Sequence, residues 1–106
     1  MASQNPQISN AFMTFKNEAP QHAQAWGNMV QALGSASALD AKTSTLAYLA
    51  VLAALRMESG IPFHVKTAKS AGATREEVIS AVLLGLPAAG HVVTQVLPAA
   101  LAAYDE

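Results

Sequence analysis

Asp40-Ala41-Lys42-Thr43-Ser44-Thr45-Leu46-Ala47-Tyr48-Leu49-Ala50-Val51-Leu52-Ala53-Ala54-Leu55-Arg56-Met57 sits near the middle of the chain. Asp40 is a suitable N-cap, because a carboxylate there can accept from the unbonded amides of a first helical turn. The residues that follow are mostly alanine and leucine, which lose little freedom in a helix, and they show no two-residue alternation. The spacing predicts a helix from about Ala41 to Met57. Beyond the polar turn Thr43 to Thr45 its middle is apolar on every side, so it has to be enclosed, either by its own domain or by partner subunits.

The neighbouring sequence supports the same class. Downstream, Ser59-Gly60 breaks the pattern, and Ile61-Pro62 opens a new helix, since a first-turn proline lacks only an amide that is unbonded anyway. That helix carries His64 and is expected to end at Gly72. Thr74 and Glu77 have the spacing of a capping box and start another helix, with Val78, Ile79, Val82, Leu83 and Leu86 on its buried side. Pro87 and Gly90 interrupt it. A last helix places Val93, Val96, Leu97, Ala100, Leu101 and Tyr104 at helical spacing, with Pro98 expected to bend it. Upstream, Ile8, Phe12 and Phe15 mark a short helix that ends before Pro20. Ala25, Trp26, Met29, Val30 and Leu33 form the stripe of a second helix, with Gly34 at its C′ position and residues 35–39 as a loop. About a fifth of the residues are alanine and no run alternates with period two, so the chain is expected to be all-α.

Composition narrows the function. A chain of 106 residues suits a single domain over 1–106. It is 52% hydrophobic with only 12% charged residues, against about a quarter charged in ordinary globular chains, which predicts that part of the surface is hidden against other copies. With no cysteine, disulfides, thiolate nucleophiles, cysteine zinc sites and iron–sulfur centres are excluded. The net charge of −1, with lysines and arginines scattered singly, offers no basic stripe for nucleic acid. The apolar stretches Leu46 to Leu55 and Ala81 to Ala89 run about ten residues, short of the roughly 20 that cross a bilayer, and read as buried core helices. No membrane role is expected. The first residues carry neither a cationic segment nor an apolar one of secretory type, so the expected location is cytoplasmic.

Few residues can carry chemistry. No phosphate loop, paired-histidine zinc motif or serine elbow is present, and no metal or cofactor is expected. His64 stands out because it lies in the first turn of a helix, just after the Ser59-Gly60 break. Free amides there could hold an anionic carboxylate or enolate while the imidazole moves a proton. The alternative is a structural histidine bonded to a nearby carbonyl. Glu58 is open to two readings: it orients His64 across the break, or it is a solvated turn residue. Met57, Gly60, Ile61 and Phe63 are the expected lining of the pocket. His91 reads as a helix-start or subunit-contact residue and His22 as solvated. Glu76 and Glu77 read as first-turn charge and capping. Trp26, Met13, Met29 and Met57 read as core or interface packing rather than a ligand pocket.

The segment from Leu39 to Leu55, then Met57-Glu58-Ser59-Gly60-Ile61-Pro62-Phe63-His64-Val65-Lys66 and Ala71-Gly72-Ala73-Thr74-Arg75-Glu76-Glu77-Val78, resembles the carboxymuconolactone decarboxylase family. This is the AhpD-like superfamily of small helical proteins. The resemblance covers residues 39–90, about half of the chain, and the histidine followed by A-G-A-T-R-E-E-V carries it most specifically. It implies a bundle of about six helices with a central helical hairpin, assembling as a homotrimer or homohexamer. Alkylhydroperoxidase-type relatives carry cysteines seven and four residues before the histidine, and a glutamate twelve before the first cysteine. Here those positions are Met57, Gly60 and Thr45. A cysteine-dependent peroxidase activity is therefore not expected, and of that relay only His64 remains. Decarboxylase-type relatives need no thiol. By that resemblance the chain is expected either to do acid/base or decarboxylation chemistry on a small carboxylate or lactone, or to be a non-catalytic binding or assembly protein. A dianionic lactone would call for cations, and only Arg56 lies near the histidine, with Lys66, Lys69 and Arg75 on outer faces.

Overall fold

The computed structural model describes residues 9–106, and every regular element among them is helical. Ile8, assigned above to the first helix, lies outside the described residues. The chain divides into two compact units at Asp40 and Ala41.

In the first unit, α1 (Asn10–Glu18) is capped by the Ser9 hydroxyl, which accepts from the Phe12 amide at 3.1 Å. It ends at Ala19, and α2 (Pro20–Ala36) begins with its proline in the first turn. The two helices are joined by aromatic edges: Trp26 meets Phe12 at 5.3 Å between ring centroids and Phe15 at 6.4 Å. No residue of either helix is buried. Two expectations change here. Gly34 is not a C′ residue, because α2 runs through it to Ala36. The stripe Trp26, Met29, Val30 and Leu33 is exposed rather than core.

The second unit holds the apolar core. Its first helix, α3 (Ala41–Ala54), stops three residues before the expected Met57. The cause is a Schellman turn. The Met57 amide donates to the Leu52 carbonyl at 2.9 Å, the Arg56 amide donates to Ala53 at 3.1 Å, and Arg56 takes the left-handed conformation with φ +54°. A one-turn 3-10 segment, Glu58–Gly60, follows and leads into α4 (Ile61–Ser70), with Pro62 in its first turn. The end of α4 repeats the same device with a glycine: Ala73 donates to the Ala68 carbonyl, Gly72 donates to Lys69, and Gly72 has φ +97°.

Thr74 then caps α5 (Arg75–Leu83) in the expected box, donating its amide to Glu77 at 2.9 Å while its hydroxyl accepts from the Glu77 amide at 3.1 Å. The segment Ala81 to Ala89 is not one core helix. It breaks into the end of α5 and a four-residue α6 (Leu86–Ala89), with Ala88 and Ala89 exposed. A 3-10 segment, Gly90–Val96, continues to α7 (Leu97–Asp105). Pro98 does not bend a long helix; it lies in the first turn of α7, where its missing amide costs nothing.

The hairpin of α3 and α4 is central, with α5 packed on α3 and α7 on α4. Leu49, Leu52, Ile61, Val65, Val78, Val82, Val93 and Val96 form its core together with Ala53, Ala68, Ala81, Ala100 and Ala103. Small side chains at so many core positions let the helices approach closely, and no aromatic ring is needed to fill the interior. Only one side of α3 is enclosed: Tyr48 and Val51 stay exposed, as does Leu55 just beyond its end.

Four polar contacts fasten the end of α7. Lys69 Nζ donates to the Tyr104 carbonyl at 2.7 Å, and the Tyr104 hydroxyl donates to the Ala73 carbonyl at 2.8 Å. Arg75 grips both oxygens of Asp105 at 2.9 and 3.1 Å, and Lys66 pairs with Glu106 at 3.0 Å. By length and composition the run Arg75–Asp105 is apolar enough to cross a membrane, far longer than the ten-residue stretches expected. Breaks after Leu83 and at Gly90 divide it, and it supplies Val78, Val82, Val93, Val96 and Ala100 to the core.

Candidate functional site

The Schellman turn at Arg56 and the 3-10 segment after it swing the chain so that the first turn of α4 lies beside α3. His64 is thereby placed against Tyr48, with ring centroids 4.7 Å apart, and edge-on to Phe63 at 5.2 Å. The imidazole is half-buried and, among the described residues, forms no hydrogen bond. The two rings that touch it, Tyr48 and Phe63, are 48% and 43% exposed. Gly60 lies close by: a Cβ added there would stand 3.7 Å from Leu52 and 4.0 Å from His64 Cδ2, an ordinary contact.

Burial pushes the His64 pKa below the ordinary histidine value, because the charged form loses solvation. At neutral pH the side chain is a neutral base. The unfolded chain binds the proton more readily, so this contribution to stability is present above the ordinary histidine pKa and is lost as pH falls through the lowered one. The wild-type urea midpoint is expected to drop more between about pH 7.5 and pH 5.5 than that of His64→Gln. Equal drops in both proteins would show that His64 is not the group responsible.

The structure separates several residues that the sequence grouped together. Glu58 does not meet His64; its carboxylate accepts from Arg56 Nε at 3.1 Å, at the exposed surface. Ile61 is fully buried in the core and cannot line a pocket. The amides expected to hold an anion are mostly engaged. Gly60 donates to the Met57 carbonyl, Ile61 donates to the Glu58 carbonyl, and Pro62 has none to offer. His91 and His22 are exposed, and Glu77 serves the capping box and Lys42 at 3.0 Å. Of the residues read as core or interface packing, Trp26, Met29 and Met57 are exposed, which removes the core reading and leaves the interface one. Among the described residues, no three histidine or carboxylate side chains gather to hold a metal.

Tyr48 was missed in the sequence. It is the one side chain with a polar tip between Leu46 and Leu55, which was the available signal.

A model of the carboxymuconolactone decarboxylase family matches residues 20–105. The chain belongs to that family. The match runs from the start of α2 almost to the end of α7 and so crosses the division at Asp40, well beyond the 39–90 of the resemblance. No curated protein and no solved structure matches the chain. Within the carboxymuconolactone decarboxylase family, this member has an all-α fold and no cysteine, so a thiol cannot carry its chemistry.

Proposed function

We propose that this carboxymuconolactone decarboxylase-like protein performs acid/base chemistry, proton transfer or decarboxylation, on a small carbonyl compound, with His64 as the proton carrier. The observation that carries this reading is the half-buried imidazole, lowered in pKa and in contact with both Tyr48 and Phe63, with neither ring nitrogen hydrogen-bonded among the described residues. A neutral imidazole can take a proton from the carbon beside a carbonyl, leaving an enolate, and return it to another carbon of that enolate. In a decarboxylation, carbon dioxide leaves, its bonding electrons stay on carbon, and a proton from solvent water, relayed through the imidazole, ends on that carbon while the hydroxide left behind takes up the carbon dioxide as bicarbonate. Glu58 and Ile61 have no part in this, the first because Arg56 holds it and the second because it is buried.

The test is direct. The full chain is incubated in D₂O with carboxymuconolactone and with uncharged α-angelica lactone, followed by proton NMR. Faster loss of ring C–H signals than in buffer, or release of carbon dioxide, supports the reading. Rates equal to buffer with both compounds overturn it in favour of a binding or assembly protein.

We also propose that the protein works in the cytoplasm as a homo-oligomer, a trimer or hexamer. The exposed Val51 on α3, Leu55 just after it and the exposed stripe of α2 support this, since water-facing apolar side chains at this density favour self-association. Light scattering at micromolar concentration should give a mass of three or six chains; a monomer would overturn it.

A further inference from the structure

The uncovered side of α3 has the make-up of a surface that meets its own copy, an inference that rests on the self-association just proposed. Ala47, Tyr48, Val51 and Ala54 on α3, and Leu55 just past its end, recur at helical spacing and are all exposed, while Leu49, Leu52 and Ala53 on the other side are buried. No charged residue lies between Thr43 and Leu55. Two such faces therefore meet without like-charge repulsion.

The area is of the right order. With Phe63, which joins the face through His64, the exposed side chains amount to about 450 Å² per copy, so a pair would bury about 900 Å², near the roughly 1,000 Å² of a specific interface before any polar rim is counted. The sizes of the side chains set the geometry. Ala47 and Ala54 flank Val51, so two copies of α3 can approach to the close end of the usual spacing between helices, about 8 Å. An antiparallel pair centred on Val51 then sets Tyr48 of one copy against Ala54 and Leu55 of the other, large against small.

We propose that two copies of the chain pack α3 against α3 across a two-fold axis at Val51, so that Leu55 of each copy covers Tyr48 beside His64 of the other and completes that site. A two-fold contact is its own partner and needs an even number of chains. It selects the hexamer over the trimer.

The chain has no cysteine, so a single introduced thiol reports the contact without background. Full-length Val51→Cys, oxidised at low micromolar concentration, should give a covalent dimer on a non-reducing gel. Leu55→Cys should not, because the two copies of position 55 lie about 12 Å apart along the helices, beyond the roughly 7 Å between Cα atoms that a disulfide spans. Val51→Glu, at an exposed position, should keep the wild-type circular dichroism and halve the mass by light scattering. No trapping at position 51, equal trapping at 55, or an unchanged mass for folded Val51→Glu would each overturn the contact.

The readings fail separately. A wild-type trimer that Val51→Cys does not trap keeps self-association and removes the two-fold axis, whereas a monomer removes both. Lactone hydrogen exchange as fast in Val51→Glu as in the wild type would remove Leu55 from the site.

Discussion

Replacing Ile61 with alanine is expected to lower the unfolding free energy by about 3 kcal/mol, within the roughly 2–5 kcal/mol typical of truncating a buried isoleucine. The side chain is fully buried, at the junction where the 3-10 segment becomes α4 and where Pro62 fixes the next backbone angle. Its removal leaves a cavity in the close-packed core of the central hairpin. A loss of that size is a large share of the roughly 5–15 kcal/mol that holds a domain together. Urea unfolding should show a lower midpoint with an unchanged slope. Met57→Ala, four residues earlier at an exposed position, should leave the midpoint nearly unmoved. Equal effects from the two substitutions would place Ile61 in a collapsible pocket rather than in the core.

His64→Gln is expected to reduce any proton-transfer rate on the lactones by about 10²–10⁴-fold, the usual contribution of a positioned acid/base group. Glutamine keeps a donor and an acceptor near the same place but cannot take a proton, so binding and assembly should persist. The informative pattern is a fallen kcat with little change in KM and an unchanged mass by light scattering. A rate within twofold of wild type would remove His64 from the mechanism. The same variant should flatten the acid loss of stability, since both effects come from one imidazole.

The sequence made much of this architecture legible because its strongest signals are local. The Thr74 and Glu77 box, and the proline at 62, announce helix starts through the chemistry of unbonded amides, and the structure follows them. Helix ends were harder to read. Gly72 adopts the left-handed conformation that glycine favours, but at the equivalent point after α3 the residue is Arg56, whose type gives no such warning. Pro98 looked like a bend because the residues before it keep helical spacing, although they form a 3-10 segment and the proline sits in the first turn of the helix that follows, α7. At the site, the sequence located the turn and His64 but misassigned the partners. Glu58 lies closer to Arg56 than the break suggested, and Tyr48, which provides the ring beside His64, comes from a different helix. Contacts set by tertiary packing leave no periodic trace.

The fastening of α7 has a consequence for synthesis. Lys69, at the end of α4, takes its partner from Tyr104, 35 positions later, and Arg75 waits 30 positions for Asp105. At about 5–20 residues per second, α4 exists for about 2–7 s before its covering helix is made. A helix forms in about a microsecond or less, so α4 is ready long before it can be sheltered. Translation rate, rather than any step of the chain itself, sets how long Val65 and Ala68 face the cell undocked, and a slowed ribosome would lengthen the interval in which a nascent chain can aggregate.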